Sequence, residues 1–304
     1  MTLRSGFVSI VGRPNAGKST LTNRLIGHKV AITSDRPQTT RRLIRGILTT
    51  DDAQLIIVDT PGLHRPRTLL GERLNASVRE AWSSVDVIGL CLPANEEIGP
   101  GDRFIAKEII ALGRTPIVVI VTKADRVNKD QLAQRLSEVG ELAEELGCTW
   151  AQVVPVSAVS GMNVEVLTEL LIALLPEGPL LYPDAEFSDE PLEITIAELI
   201  REAMLEGVED ELPHSIAVVI EEMGMREGRP PDRPLMDVRA QLFVERDSQK
   251  SIVIGKGGAR LKQVGTRARK EIEEIVGTPV YLDIHVKLAK DWQKDPKKLR
   301  RLGF

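Results

Sequence analysis

The run Gly12-Arg13-Pro14-Asn15-Ala16-Gly17-Lys18-Ser19 sets two glycines, a lysine and a hydroxyl at the spacing GxxxxGK[ST]. It follows an apolar stretch, Gly6–Gly12, and leads into an amphipathic one. Glycines let successive backbone N–H groups converge on phosphate oxygens, and the dipole at a helix N-terminus favours the anion. Lys18 places a positive charge between β- and γ-phosphates, and the Ser19 hydroxyl is positioned to ligate Mg²⁺. Gly12, Asn15, Ala16, Gly17 and Thr20 complete this expected cradle. A second apolar run ends in Asp59-Thr60-Pro61-Gly62. Its carboxylate can hold Mg²⁺ mainly through water, and the Gly62 N–H can bond a γ-phosphate. Either motif alone is weak. In this order, at the ends of successive apolar runs, the two imply a nucleoside triphosphatase with Lys18, Asp59 and Gly62 at the reacting phosphate.

Thr122-Lys123-Ala124-Asp125 follows the run PIVVIV. The Asp125 carboxylate can accept from both guanine N1 and N2, a donor pair that adenine lacks. Ser157-Ala158 follows the next apolar run, where the Ala158 N–H can meet guanine O6. The order of motifs resembles the GTPases as a class, with GTP and GDP as ligands. The commonest form of the third motif is NKxD; here Thr122 replaces the asparagine that braces neighbouring loops, so guanine preference is expected to survive. Between the first two motifs, Ile32–Gly46 is polar and stands where a γ-phosphate-sensing loop is expected. Thr39 and Thr40 are both candidates to close over Mg²⁺ there. Leu63 follows Gly62, where Ras-like enzymes carry a water-orienting glutamine, so slow intrinsic turnover is expected.

The elements that must position these groups alternate. Continuously apolar runs at Gly6–Gly12, Leu55–Asp59, Val87–Leu92, Pro116–Lys123 and Gln152–Ala158 are separated by helical patterns such as Gln131–Gly147. Strands apolar on both faces imply an α/β domain with a mostly parallel, doubly wound sheet. Pro176, Pro179, Pro183 and Pro191 then mark an acidic stretch read as a linker at 176–191. Beyond it, Ser215–Glu221, Val238–Glu245 and Val280–Leu288 alternate in places at period two. A helix between the last two carries Leu261, Val264, Ala268, Ile272 and Ile275 as an apolar stripe. The expected division is a GTPase domain at 1–175, the linker, and a smaller α+β domain at 192–304.

The chain has 304 residues and a net charge of −4, which taken whole argues against a strongly basic nucleic-acid binder. The average conceals an asymmetry: 1–183 is neutral, 184–237 carries −12 and 238–304 carries +8. A basic end of this kind suggests a nucleic-acid or membrane contact. Two distant cysteines, Cys91 and Cys148, offer no disulfide framework, and no apolar run reaches the length of a membrane span. The N-terminus does not read as a signal peptide, so a reducing, cytoplasmic location is expected.

Within the basic end, Gly255-Lys256-Gly257-Gly258 forms a GxxG between helical segments, the loop that clamps a single-stranded nucleic-acid backbone in KH domains. Ile254 precedes it, and Arg260, Lys262, Arg267, Arg269 and Lys270 lie away from the apolar stripe behind it. GRPNAGKST, QTTRR, DTPGL, SAVSG and VIGKGG, ending in a KH-type unit, together resemble the Era-type family of bacterial GTPases over essentially the whole chain. The resemblance implies binding to 16S rRNA near its 3′ end and a role in assembly and maturation of the 30S subunit. It further implies a monomer with peripheral association with the inner membrane. Resemblance to QTTR-type loops favours Thr40 over Thr39. Resemblance to GTPases with asparagine at the position of Asn15 implies K⁺ near the phosphates, where a cation can replace an arginine finger. Two rival readings are an RNA-modifying or tRNA-directed GTPase and a non-hydrolysing KH scaffold. The first needs a further catalytic constellation, and His28, His64, His214 and His285 have no ligand spacing. Against the second stand Lys18, Ser19, Asp59 and Asp125.

Overall fold

Five of the strands expected from apolar runs form one sheet, and the reason is visible in how their side chains divide. In the computed structural model, which describes residues 3–33, 41–63, 68–183, 186–206 and 215–304, they are β1 (Arg4–Val11), β3 (Ala53–Asp59), β4 (Val87–Pro93), β5 (Ile117–Thr122) and β6 (Gln152–Pro155). On β5, Val118 and Ile120 join a core with α1 (Lys18–Ile26) and α5 (Val164–Leu174). Val119 and Val121 point the other way, into a core with α2 (Leu69–Ser83), α3 (Pro100–Ile110) and α4 (Lys129–Leu146). Helices on both faces thus account for strands with no polar side. With β2 (Ile44–Thr49) at one edge, the strand order is β2-β3-β1-β4-β5-β6.

β2 pairs antiparallel with β3 and is the exception to the parallel arrangement. It also corrects the expected extent of the sensing loop, because its first residues, Ile44 to Gly46, already pair with Ile57–Asp59. Thr39 and Thr40 lie outside the described residues.

The proline-rich stretch is not a free tether over its described length. The Ser5 N–H bonds the Pro176 carbonyl at 3.1 Å, and the Ile47 N–H bonds the Phe187 carbonyl at 2.9 Å. Gln54, fully buried on β3, accepts from the Leu181 and Tyr182 N–H groups and donates to the Tyr182 carbonyl and Thr49 Oγ1. Asp189 accepts from Tyr182 and pairs with Arg45 at 2.9 Å. Burial, then the Asp189 acceptor, pushes the Tyr182 phenol above its ordinary range. Residues 74–189 accordingly group with the first unit, and Glu190–Phe304 with the second.

The second unit opens with a helix that sequence reading missed, α6 (Leu192–Leu205), which buries Ile196, Leu199, Ile200, Ala203 and Met204. A three-stranded sheet follows, β7 (Ala217–Met225), β8 (Met236–Val244) and β9 (Val280–Leu288), with β8 central. α7 (Asp247–Ile254) and α8 (Ala259–Val276) connect β8 to its parallel neighbour β9, and α9 (Pro296–Arg301) comes last. Of the expected α8 stripe, Val264, Ala268 and Ile272 are buried and Leu261 packs at the margin. Ile275 is instead exposed, and Val276 makes the final-turn contact.

Gln54→Leu should leave two backbone N–H groups and a carbonyl of the proline-rich stretch without partners, costing about 2–4 kcal/mol. Urea unfolding of the first transition would show it as a lowered midpoint.

Candidate functional site

β1, β3 and β5 run parallel, so their C-terminal ends place Gly12, Asp59 and Thr122 along one edge of the sheet, the usual ligand edge of such folds. α1 begins at Lys18, so residues 12–17 form a loop opening a helix N-terminus. Gly12 sits at φ 152°, and a Cβ there would lie 2.8 Å from the Cys91 carbonyl oxygen. Only glycine lets the loop lie this close to β4. Asn15 takes a left-handed conformation, φ 63°, which asparagine tolerates.

Three contacts fix the loop. Lys18 Nζ donates to the Arg13 carbonyl at 3.0 Å, Ser19 Oγ donates to Asp59 Oδ2 at 2.7 Å, and Thr122 Oγ1 donates to the Ala16 carbonyl at 2.7 Å. Burial lowers the Lys18 pKa, while the Asp59 carboxylate acts in the opposite sense. The Thr122 bond answers the departure from NKxD: a hydroxyl performs the bracing expected of asparagine. Thr20 is exposed on the first turn of α1, and Gly62 abuts Pro14 of the loop. Leu63 is buried in the core that also holds Val78 and Trp82.

The loops that carry Thr122–Asp125 and Ser157-Ala158 are brought together. The Ala124 N–H bonds the Val156 carbonyl at 3.2 Å, tying the loop after β5 to the one after β6. Lys123 adopts a left-handed conformation, φ 57°, and Asp125 is exposed. Ser157 is buried, its hydroxyl accepting from the Ser160 N–H at 3.1 Å, and Ala158 lies at the margin. Sequence reading missed Glu96 and Asp102. Glu96 pairs with both Arg13 and Lys123, and the buried Asp102 pairs with Arg13. An acidic residue in the loop after a buried strand carries no motif, and only the fold brings these groups together.

In the second unit, Gly255 to Gly258 separate α7 from α8. Gly255 sits at φ 73°, ψ 174°, where a Cβ would lie 2.7 Å from that of Arg260. Lys256 and Gly257 project into solvent, Ile254 is half-buried, and Gly258, Leu261, Lys262, Gly265, Leu282 and Ile284 line a groove of about 400 Å³. Two expected members of the basic face are turned elsewhere. Arg260 Nη2 donates to the carbonyls of Met204 and Glu206 at the C-terminus of α6, at 3.2 and 2.8 Å. Arg267 pairs with Glu206 and Glu271. Unsatisfied carbonyls at a helix end draw a guanidinium in this way. Lys262, Arg269 and Lys270 line the outer face of α8.

Family comparisons match a 50S ribosome-binding GTPase model over residues 7–123 and a KH domain model over residues 211–293. The chain is 64% identical to the GTPase Era of a Nocardioides species over 301 residues, covering 99% of this chain and 96% of that one. It is equally identical to that of Streptomyces coelicolor, covering 99% and 95%. Two solved structures superpose with a TM-score of 0.93 at 35% identity over 99% of both chains. One is Era in complex with MgGDPNP and nucleotides 1506–1542 of 16S ribosomal RNA. The other is an Aquifex aeolicus Era variant bound to GDP·AlF4⁻.

Cys91 is fully buried beneath the loop and its thiol is pushed up to about 12 by burial, whereas Cys148 is only half-buried. Thiol titration should therefore find one reactive cysteine in the native protein and two after denaturation. Thr122→Val, which removes the bond to Ala16 at nearly constant volume, should cost about 1–2 kcal/mol of stability and weaken nucleotide binding several-fold. Melting and mant-GDP titration measure the two effects separately.

Proposed function

The chain belongs to the Era family of GTPases, and from that premise we propose that it is a GTP-regulated RNA-binding factor acting on 16S rRNA near its 3′ end during assembly of the 30S subunit. The observation that carries this reading is the joining, in one chain, of a braced phosphate loop with a GxxG turn beside an α8–β9 groove.

In this reading GTP lies with its phosphates against Gly12–Thr20 and its base against Thr122–Asp125, Ser157 and Ala158. Lys18 neutralises the β- and γ-phosphates, the Gly62 N–H bonds the γ-phosphate, and Asp125 selects guanine. The donors for Mg²⁺ fit: Ser19 Oγ and Asp59 Oδ2 are 2.7 Å apart and both are hard oxygens. Among the described residues no group of three or more His, Cys, Asp or Glu side chains could hold a metal. Mg²⁺ is characteristically held by one or two protein oxygens together with phosphates and water. Ser19, Asp59 and Thr40 would hold it, and bound Mg²⁺ neutralises charge on the β- and γ-oxygens. Asn15 is the residue assigned to K⁺. Lys256 with Ile254 and Gly255–Gly258 grips the RNA backbone, and Lys262 adds charge along the groove; Arg260, expected to join them, instead ties α8 to the end of α6.

No helix among the described residues is long and apolar enough to cross a membrane. The reading places the protein in the cytoplasm as a monomer; peripheral contact with the inner membrane rests on the family resemblance alone.

Lys18→Met should abolish multiple-turnover GTP hydrolysis and weaken GTP binding roughly 100-fold. Because folding buries the ammonium at a cost, the melting temperature of the nucleotide-free protein should hold or rise. Lys256→Asp with Gly257→Asp should lower affinity for a 16S 3′-terminal fragment roughly tenfold or more by reversing charge at the backbone clamp. Gly257 has φ 59° and no neighbour within 4 Å of an added Cβ, and aspartate tolerates that conformation, so the fold should survive. Normal rRNA binding by this double variant would remove the groove assignment. K⁺ should accelerate hydrolysis relative to Na⁺ at equal ionic strength; equal rates would remove Asn15's proposed role.

A further inference from the structure

The nucleotide reading needs two loops from different strands to keep a fixed spacing. The phosphate loop follows β1, and the base loop follows β5. A carboxylate links them. Glu96, in the loop after β4, pairs through Oε2 with Arg13 Nη2 at 3.0 Å and through Oε1 with Lys123 Nζ at 2.9 Å. Each oxygen serves one cation, and the cations belong to the two loops. Arg13 has two further partners: Nε lies 3.2 Å from Oδ1 of Asp102, which is 1% exposed, and Nη2, the nitrogen that meets Glu96, also donates to the Glu97 carbonyl. Asp102 is itself fixed, accepting the Gly99 N–H at 2.9 Å where α3 begins. At the far end, Lys123 sits in a left-handed conformation that costs a non-glycine residue energy and persists only where its surroundings hold it.

We propose that Glu96 is a positioning residue for guanine nucleotide, tying Arg13 of the phosphate loop to Lys123 of the base loop so that phosphate and base are gripped at once. The proposal rests on the assignment of these two loops as the nucleotide site. An isolated exposed ion pair contributes little. This one differs in sharing a carboxylate between two loops and in being anchored on a buried aspartate. A merely electrostatic role has the opposite sign, since a carboxylate beside a triphosphate repels it, and its removal should then tighten binding.

The test is the rate of mant-GDP release from the full chain for wild type, Glu96→Gln and Glu96→Asp, with mant-IDP measured in parallel. Glu96→Gln should release mant-GDP about threefold to tenfold faster. It should also narrow the preference for GDP over IDP, because the base loop is no longer held, and raise KM more than it lowers kcat. Glu96→Asp keeps the charge and should recover part of the effect. The difference between wild type and Glu96→Gln should shrink in 1 M salt. Unchanged or slower release from Glu96→Gln, or faster release with the GDP-to-IDP preference intact, would overturn the proposal. Lys18→Met separates the premise: if that variant still binds GTP normally, the site assignment fails, whereas normal loss there with unaltered Glu96→Gln removes only the brace.

Discussion

A loop that must offer its backbone N–H groups to a polyanion has to be held from behind, because the groups facing the ligand are unavailable to hold it. Here the hold is the 2.7 Å bond from the Thr122 hydroxyl to the Ala16 carbonyl, set where Gly12 lies against Cys91. Both anchors come from strands buried on both faces, β4 and β5. At the end of β3, Asp59 accepts from Ser19 at 2.7 Å and Leu63 is buried in the core. Chemistry at this edge of the sheet depends on strands that cannot shift without opening two cores.

The second unit solves a different problem. In the proposed reading, a nucleic-acid backbone requires exposed positive charge and a close approach, which the turn at Gly255–Gly258 would provide with little side-chain bulk. Charge is not used uniformly there. Arg260 and Arg267 secure the end of α6, while Lys256 and Lys262 are left toward solvent. The small overall charge of −4 is therefore a cancellation between a neutral first part, an acidic middle and a basic end.

Much of this was legible before the fold was known, and the successes share a cause. β1, β3, β5 and β6 are short apolar runs that lead into motif residues, and the residues of the phosphate loop, of Thr122–Asp125 and of GxxG are contiguous in sequence. What escaped was non-contiguous or disguised. β2 is interrupted by Arg45 and Gly46 and adjoins a polar segment. α6 is hidden in an acidic, proline-flanked region, although Pro191 is a natural residue to precede a helix. Glu96 belongs to no local pattern, and Asp102 reads only as the N3 residue that caps α3; their link to Arg13 arises only when the segment after β4 is brought beside the phosphate loop. The bracing role of Thr122 was open in the sequence and became plain from one hydrogen bond.

The central claim is that nucleotide and RNA are read by one molecule as coupled signals. The direct measurement is the equilibrium affinity for a 16S 3′-terminal fragment with the chain saturated by GDPNP or by GDP, at fixed Mg²⁺ and salt. The account predicts tighter binding with GDPNP by about tenfold, a coupling of ~1.4 kcal/mol. Equal affinity in the two nucleotide states would contradict it.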